Sequence, residues 1–185
     1  MNVYLFLAEG FEEIEALVTV DVLRRGGVEI KTVSISSGRE VTGAHGIPVI
    51  ADKRLEEVVA GNADYLILPG GMPGAQHLSE SKPLMELLEK HYKSGRPLAA
   101  ICAAPALVLS KLPLPEHTRL TCYPGYESCL QKYTVTGEGV VTDGNLITGK
   151  GPAFATAFAL AILDRLTGSG QKSKEVAAGL LYTGH

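Results

Sequence analysis

The stretch Pro97-Leu98-Ala99-Ala100-Ile101-Cys102-Ala103-Ala104-Pro105-Ala106-Leu107 (PLAAICAAPAL) joins a short apolar run to a segment that opens near a proline, with one cysteine at the joint. A short apolar run bounded by turn signals reads as a buried strand. Proline fits the first turn of a helix, where its missing N–H would have no partner anyway. The pattern predicts a strand over 98–101, a bend at Cys102 and a helix over 105–112. Such a strand–turn–helix unit belongs to α/β architecture.

The same alternation extends in both directions. Val3 to Ala8 is an apolar run ended by Glu9-Gly10, followed by a helical stretch over 12–25 that closes at Gly26-Gly27. Strands are expected at 28–34, 64–68 and 119–122, and a small hairpin at 41–51. Helices are expected at 55–60, 82–93, 152–166 and 174–181. The Asp143-Gly144 turn between Val140-Val141 and Leu146-Ile147 marks a second hairpin. Continuous apolar strands alternating with helices predict a mostly parallel sheet covered on both faces, a three-layer α/β/α sandwich. No repeat or linker divides the chain, so one domain over 1–185 is expected.

With 185 residues, 45% hydrophobic and 20% charged, the composition is that of a globular protein. A net charge of −3 with scattered Lys and Arg gives no footprint for nucleic acid or a membrane surface. No apolar run reaches the roughly 18 residues of a membrane span, and MNVYLFLAEGFEE lacks a basic leader. Cys102, Cys122 and Cys129 are an odd, unpaired set, read as free thiols in a reducing cytoplasm. Cys122 and Cys129 lack the spacing of a zinc site, so neither a metal nor another cofactor is expected.

In parallel sheets ligands bind at the carboxyl ends of the strands. The loops after Ala8, Leu68 and Ile101 should therefore converge. They carry Glu15, Gly70-Gly71 and Cys102. The spacing Ala100-x-Cys102-x-Ala104 has the small-x-nucleophile-x-small pattern of a nucleophile elbow. A thiol beside a helix N-terminus is expected to have a lowered pKa. Gly70 and Gly71 free the backbone to turn, and Gly71 and Ala103 N–H groups could stabilise an oxyanion near the sulfur. Glu12 and Glu13 read as first-turn carboxylates that complement the helix dipole. Glu15 opens an apolar stretch, so burial should raise its pKa and suit it to proton transfer beside Cys102. His45, His77, His91, His117 and His185 are scattered, and no Cys–His–carboxylate triad is legible. His45, in a Gly-Ala-His-Gly loop, could reach the site.

AEGFEEIEA (8–16), LPGGMPGAQHLSES (68–81), AAICAAPALVL (99–109) and TGKGPAFATAFALAILDRLTG (148–168) together resemble the ThiJ/PfpI superfamily, which is class I glutamine amidotransferase-like. They are most similar to its parkinsonism-associated protein deglycase branch. The resemblance implies a flavodoxin-like homodimer with Cys102 as reactive cysteine and Glu15 as its partner. It implies backbone donors at Gly71 and Ala103, and an accessory arginine at Arg25 near the site and dimer interface. His45 stands where some relatives place an arginine from the neighbouring subunit. Tyr123 stands where glyoxalase or deglycase relatives carry a histidine, and Ala103 where the PfpI-type peptidases carry theirs. The implied function is cofactor-free glyoxalase or deglycase chemistry on a small reactive carbonyl or glycated substrate. The alternatives are an oxidative-stress sensor with a redox-active Cys102, and an intracellular cysteine peptidase or amidase, which the missing histidine disfavours.

Overall fold

The computed structural model describes residues 1–184; His185 lies outside them. In chain order its elements are β1 (Val3–Leu7), α1 (Glu13–Arg25), β2 (Ile30–Ser34), β3 (Glu40–Thr42), β4 (Pro48–Ile50), β5 (Lys53–Arg54), β6 (Tyr65–Leu68) and α2 (Gly74–Glu80). There follow α3 (Lys82–Lys93), β7 (Leu98–Ile101), α4 (Ala104–Leu107), β8 (Arg119–Leu120), β9 (Thr134–Val135), β10 (Val140–Asp143), β11 (Leu146–Gly149), α5 (Ala155–Thr167) and α6 (Gly170–Gly179). Seven strands form the central sheet in the order β10-β11-β7-β6-β1-β2-β5. Every neighbouring pair is parallel except β10–β11.

The sequence order explains the layers. The chain leaves β1 through α1 for β2 on one side, and β6 through α2 and α3 for β7 on the other. Right-handed crossovers in opposite directions place their helices on opposite faces. Accordingly α1, α5 and α6 pack together, and α2 packs with α3 and α4. Both faces being covered, every side chain of β1, β6, β7 and β11 is buried. Burying each Leu or Ile there contributes roughly 1.5–3 kcal/mol. Where α1 ends, Gly26 lies so close to α5 that a side-chain carbon would sit 2.4 Å from Leu163 Cδ1. The result is the three-layer α/β/α sandwich that the apolar strands imply, with the flavodoxin-like topology expected from the family resemblance.

Several expectations are corrected. The segment 74–80 forms α2, which its Gly, Gln, His and Ser content disguised. The helix expected at 105–112 is the short α4 followed by a 3-10 turn, Leu109–Lys111. The strand expected at 119–122 is only β8, which pairs with β9 in a separate two-stranded sheet. The helix expected at 55–60 is only a 3-10 turn, Leu55–Glu57. The last helix begins earlier than expected because Ser169 caps it, accepting a hydrogen bond from Gln171 N–H at 3.2 Å. Both hairpins form as expected. Among the described residues no helix is long and apolar enough to cross a membrane.

Candidate active site

The carboxyl ends of β1, β6 and β7 meet as the topology requires, and three backbone features fix what gathers there. Cys102, directly after β7, has φ +66°, a left-handed conformation costly for a side-chain-bearing residue. Its N–H donates to Gly149 O at 2.9 Å, which continues the pairing of β7 with β11 into the bend. Its carbonyl accepts the Tyr123 N–H at 2.8 Å. The strained bend is held from both sides, and the small flanking alanines fit it: Ala100, Ala103 and Ala104 are buried.

Glu15 reaches the same point from the first turn of α1. It is 0% exposed, and its Oε2 accepts the Gly70 N–H at 2.7 Å. Its Oε1 is buried with no hydrogen-bond partner among the described residues. A methyl group on Gly70 would lie 2.6 Å from Cys102 Cβ and 2.8 Å from Glu15 Oε2. Only glycine lets the thiol and the carboxyl approach here. Gly71, at φ +86°, turns its N–H towards the Cys102 sulfur, and the Ala103 N–H does the same.

Electrostatics corrects one expectation and supports another. Burial pushes the Cys102 thiol up to about 12. The Glu15 charge beside it adds to this, against the Gly71 and Ala103 N–H groups. The lowered thiol pKa expected from an adjoining helix does not arise, because burial and the Glu15 charge outweigh the N–H groups at the start of the four-residue α4. Glu15 behaves as expected: burial raises it to about 7, against the Gly70 N–H and Cys102 thiol, with the Glu12 charge raising it further. Thiol and carboxyl are thus a coupled pair sharing protons.

The accessory residues divide. Tyr123 is beside the site, bonded through its backbone to Cys102, with its ring 3.2 Å from where a side chain on Gly151 would begin. Arg25 is not: it ends α1, paired with Asp21 at 2.6 Å, and the helix rises roughly 15 Å between Glu15 and Arg25. His45 is brought to Glu13 and Glu12, its Nδ1 2.7 Å and 3.8 Å from their Oε2 atoms. The Glu13 Oε1 also accepts the His45 backbone N–H at 2.7 Å. Reading Glu12 and Glu13 as dipole partners alone missed this convergence, for which 32 residues of separation leave no local signal. His91 is a buried core residue whose Nε2 lies 2.9 Å from Pro97 O.

A flavodoxin-like sandwich that holds a cysteine on a strained strand-to-helix bend beside a buried glutamate defines a class of protein, and comparison with known proteins specifies it. Residues 1–165 match the DJ-1/PfpI family model. The chain belongs to the DJ-1/PfpI family, in its DJ-1 branch. It is 39% identical to Protein dj-1beta of Drosophila melanogaster over 177 residues, covering 95% of this chain and 94% of that one. It is 38% identical to the glutathione-independent glyoxalase DJR-1.2 of Caenorhabditis elegans over 162 residues, 86% of this chain and 85% of that one. It is 36% identical to Protein DJ-1 homolog B of Arabidopsis thaliana, of whose length it spans only 40% against 95% of its own. The structure of a cysteine-to-alanine mutant of a DJ-1 superfamily protein from Salmonella typhimurium superposes with a TM-score of 0.94 at 33% identity, covering 99% of both chains.

Proposed function

We propose that the protein is a cysteine-dependent, cofactor-free enzyme of the glyoxalase or deglycase type, acting on a small dicarbonyl or an early glycation adduct. The observation that carries this is the approach of Cys102 and Glu15 across Gly70, with the Gly71 and Ala103 N–H groups directed at the sulfur. The glyoxalase relative lends the reaction class.

The chemistry balances on these groups. The Cys102 sulfur adds to the aldehyde carbon of methylglyoxal and its proton passes to the Glu15 carboxylate, so a C–S bond forms as the carbonyl π bond opens. The resulting oxyanion accepts hydrogen bonds from Gly71 and Ala103 N–H groups, and then a proton. Glu15 next moves a proton from the thiohemiacetal carbon to the neighbouring carbonyl carbon through an enediol, leaving a thioester. Water cleaves the thioester to lactate and frees the thiol. With the thiol pushed up to about 12 and Glu15 to about 7, the resting thiol is protonated, and the fraction of Glu15 ionised at neutral pH is the form that takes its proton. Tyr123 adds a half-exposed ring at the mouth.

This activity is assigned to one domain over residues 1–185 in the cytoplasm, assembled as a homodimer. Supporting the dimer, Ile14 and Leu17 on α1 and Ile47 and Ile50 on the β3–β4 hairpin are exposed apolar side chains. The test is purified wild-type protein with methylglyoxal. Substrate loss with lactate formation that disappears in Cys102→Ala is expected; a wild type without turnover overturns the proposal. The second reading, a peroxide-sensing thiol, draws on the same backbone donors, which would hold a sulfinate. Gain of two oxygen atoms at Cys102 under mild peroxide, with negligible turnover, would select it. A peptidase role lacks its histidine, since Ala103 follows the cysteine; absence of casein cleavage checks this.

A further inference from the structure

We propose, on the reading of Cys102 as the nucleophile of that reaction, that Thr148 is a positioning residue, which acts through the segment 121–123 to aim the Ala103 N–H at the sulfur. Both backbone donors of the site are the N–H ends of peptide planes whose carbonyl ends are held. A planar trans peptide points its C=O and N–H in opposite directions, so holding one end aims the other. The Gly71 N–H shares its plane with Gly70 O, which accepts the Glu12 N–H at 3.0 Å. The Ala103 N–H shares its plane with Cys102 O, which accepts the Tyr123 N–H at 2.8 Å.

The two planes differ in what backs them. Glu12 caps α1, so a helix holds the Gly70 plane. The Cys102 plane is held by residues 121–123, which follow β8 and lie in neither helix nor sheet. A side chain of the central sheet ties this segment down: the Thr121 N–H donates to Thr148 Oγ1 at 3.0 Å. Both threonines are buried, so no bulk water competes for that bond. The Thr121 hydroxyl has no partner among the described residues, so the segment is gripped here by its backbone. Thr148 lies in β11 opposite Ala100, and the next residue, Gly149, accepts the Cys102 N–H at 2.9 Å. Two consecutive residues of β11 thus hold the bend, Gly149 on its amide side and Thr148 on its carbonyl side.

The chemical consequence follows from the strain at Cys102. Its φ of +66° is costly, so the Cys102–Ala103 plane rotates if it is released. Removing the acceptor on Thr148 leaves the Thr121 N–H buried and unpaired, a state that the segment relieves by shifting. Tyr123, two residues on, shifts with it and lets go of Cys102 O. The Ala103 N–H then loses its aim at the sulfur and at an oxyanion formed beside it. It also loses the polarisation that a hydrogen bond to the far end of its own plane supplies. Glu15 keeps its place, because the Gly70 N–H still holds its Oε2.

The test compares Thr148→Val, Thr148→Ser and Thr121→Val with wild type in the full chain. Amide exchange read by NMR should show the Tyr123 N–H protected in wild type and exchanging about tenfold faster or more in Thr148→Val. Methylglyoxal turnover in Thr148→Val should lose about tenfold or more in kcat with KM little changed, part of the roughly 10²–10³ that one oxyanion donor supplies. Iodoacetamide alkylation of Cys102 near pH 9 should slow about three- to tenfold, because a thiolate deprived of an N–H is less favoured. Thr148→Ser keeps the hydroxyl and should restore all three readings. Thr121→Val deletes a hydroxyl without a partner and should match wild type. Faster alkylation in Thr148→Val overturns the proposal, since it reports a loosened fold that uncovers the thiol. So does unchanged exchange at Tyr123, a loss confined to KM, failure of serine to rescue, or Thr121→Val behaving like Thr148→Val. A freely exchanging Tyr123 N–H in wild type overturns it without recourse to any variant. Wild type without turnover removes the glyoxalase reading alone, and exchange and alkylation still decide the positioning.

Discussion

Glu15 and Cys102 meet over Gly70, the one residue whose missing side chain leaves room for both: its N–H holds the Glu15 Oε2 at 2.7 Å, and a methyl group there would strike the Cys102 Cβ and that same oxygen. The pair is the proposed reacting centre. It depends on three strand ends that sequence order alone brings together.

Gly70→Ala should therefore act on stability and chemistry at once. Overfilling a packed site costs about 1–3 kcal/mol, and relief requires the thiol and the carboxyl to part. Denaturant unfolding should show that loss, and methylglyoxal turnover should fall with it. Wild-type values in both measurements would remove the steric account.

Tyr65 is 0% exposed and its hydroxyl has no partner among the described residues. A buried, unsatisfied hydroxyl costs more than it returns. Tyr65→Phe is expected to raise unfolding free energy by about 1 kcal/mol, read from the denaturation midpoint at unchanged slope. A clear loss would mean the hydroxyl is satisfied in solution.

Asp52 ties β2 to the segment before β5. Its Oδ2 accepts the Thr32 N–H at 2.9 Å, the Thr32 hydroxyl at 3.0 Å and Arg24 Nη2 at 2.9 Å. Burial alone would raise its pKa, but these donors and the Arg24 and Lys31 charges lower it below the usual 3.8. A carboxyl lowered on folding adds stability above its unfolded pKa and loses it as pH falls through the folded value. Asp52→Asn should thus cost on the order of 1 kcal/mol at pH 7, discounted for solvent screening. The difference should shrink below about pH 4; a constant difference would contradict the assignment.

Ile14, exposed on α1, belongs to the apolar surface assigned to the dimer. Ile14→Glu should convert a sedimenting dimer to monomer without loss of helical signal, because the side chain is outside the core. A wild type that sediments as a monomer at all concentrations would dispose of the dimer.

The parts of this arrangement that the sequence made legible are those whose signals are local. Apolar runs such as Val3–Leu7 and Tyr65–Leu68 mark buried strands, and strand order then places Glu15, Gly70 and Cys102 together. The polar helix α2 escaped because tertiary packing on Ala75 and Leu78 carries it, where propensity and periodicity are faint. The Cys102 pKa was misjudged because burial and a neighbouring charge arise only on folding and outweigh a four-residue helix. The meeting of His45 with Glu12 and Glu13 depends on how the hairpin folds back on α1, which no spacing encodes.

The most direct test of the Cys102–Glu15 coupling is the rate of iodoacetamide alkylation at Cys102 across pH, in wild type and in Glu15→Gln. With burial and the Glu15 charge pushing the thiol up to about 12, wild type should react slowly at neutral pH and accelerate throughout the alkaline range. Glu15→Gln removes the charge and lowers the thiol pKa; each unit is tenfold in thiolate, so alkylation near pH 8 should quicken by roughly tenfold. Superimposable profiles for the two proteins would contradict the account.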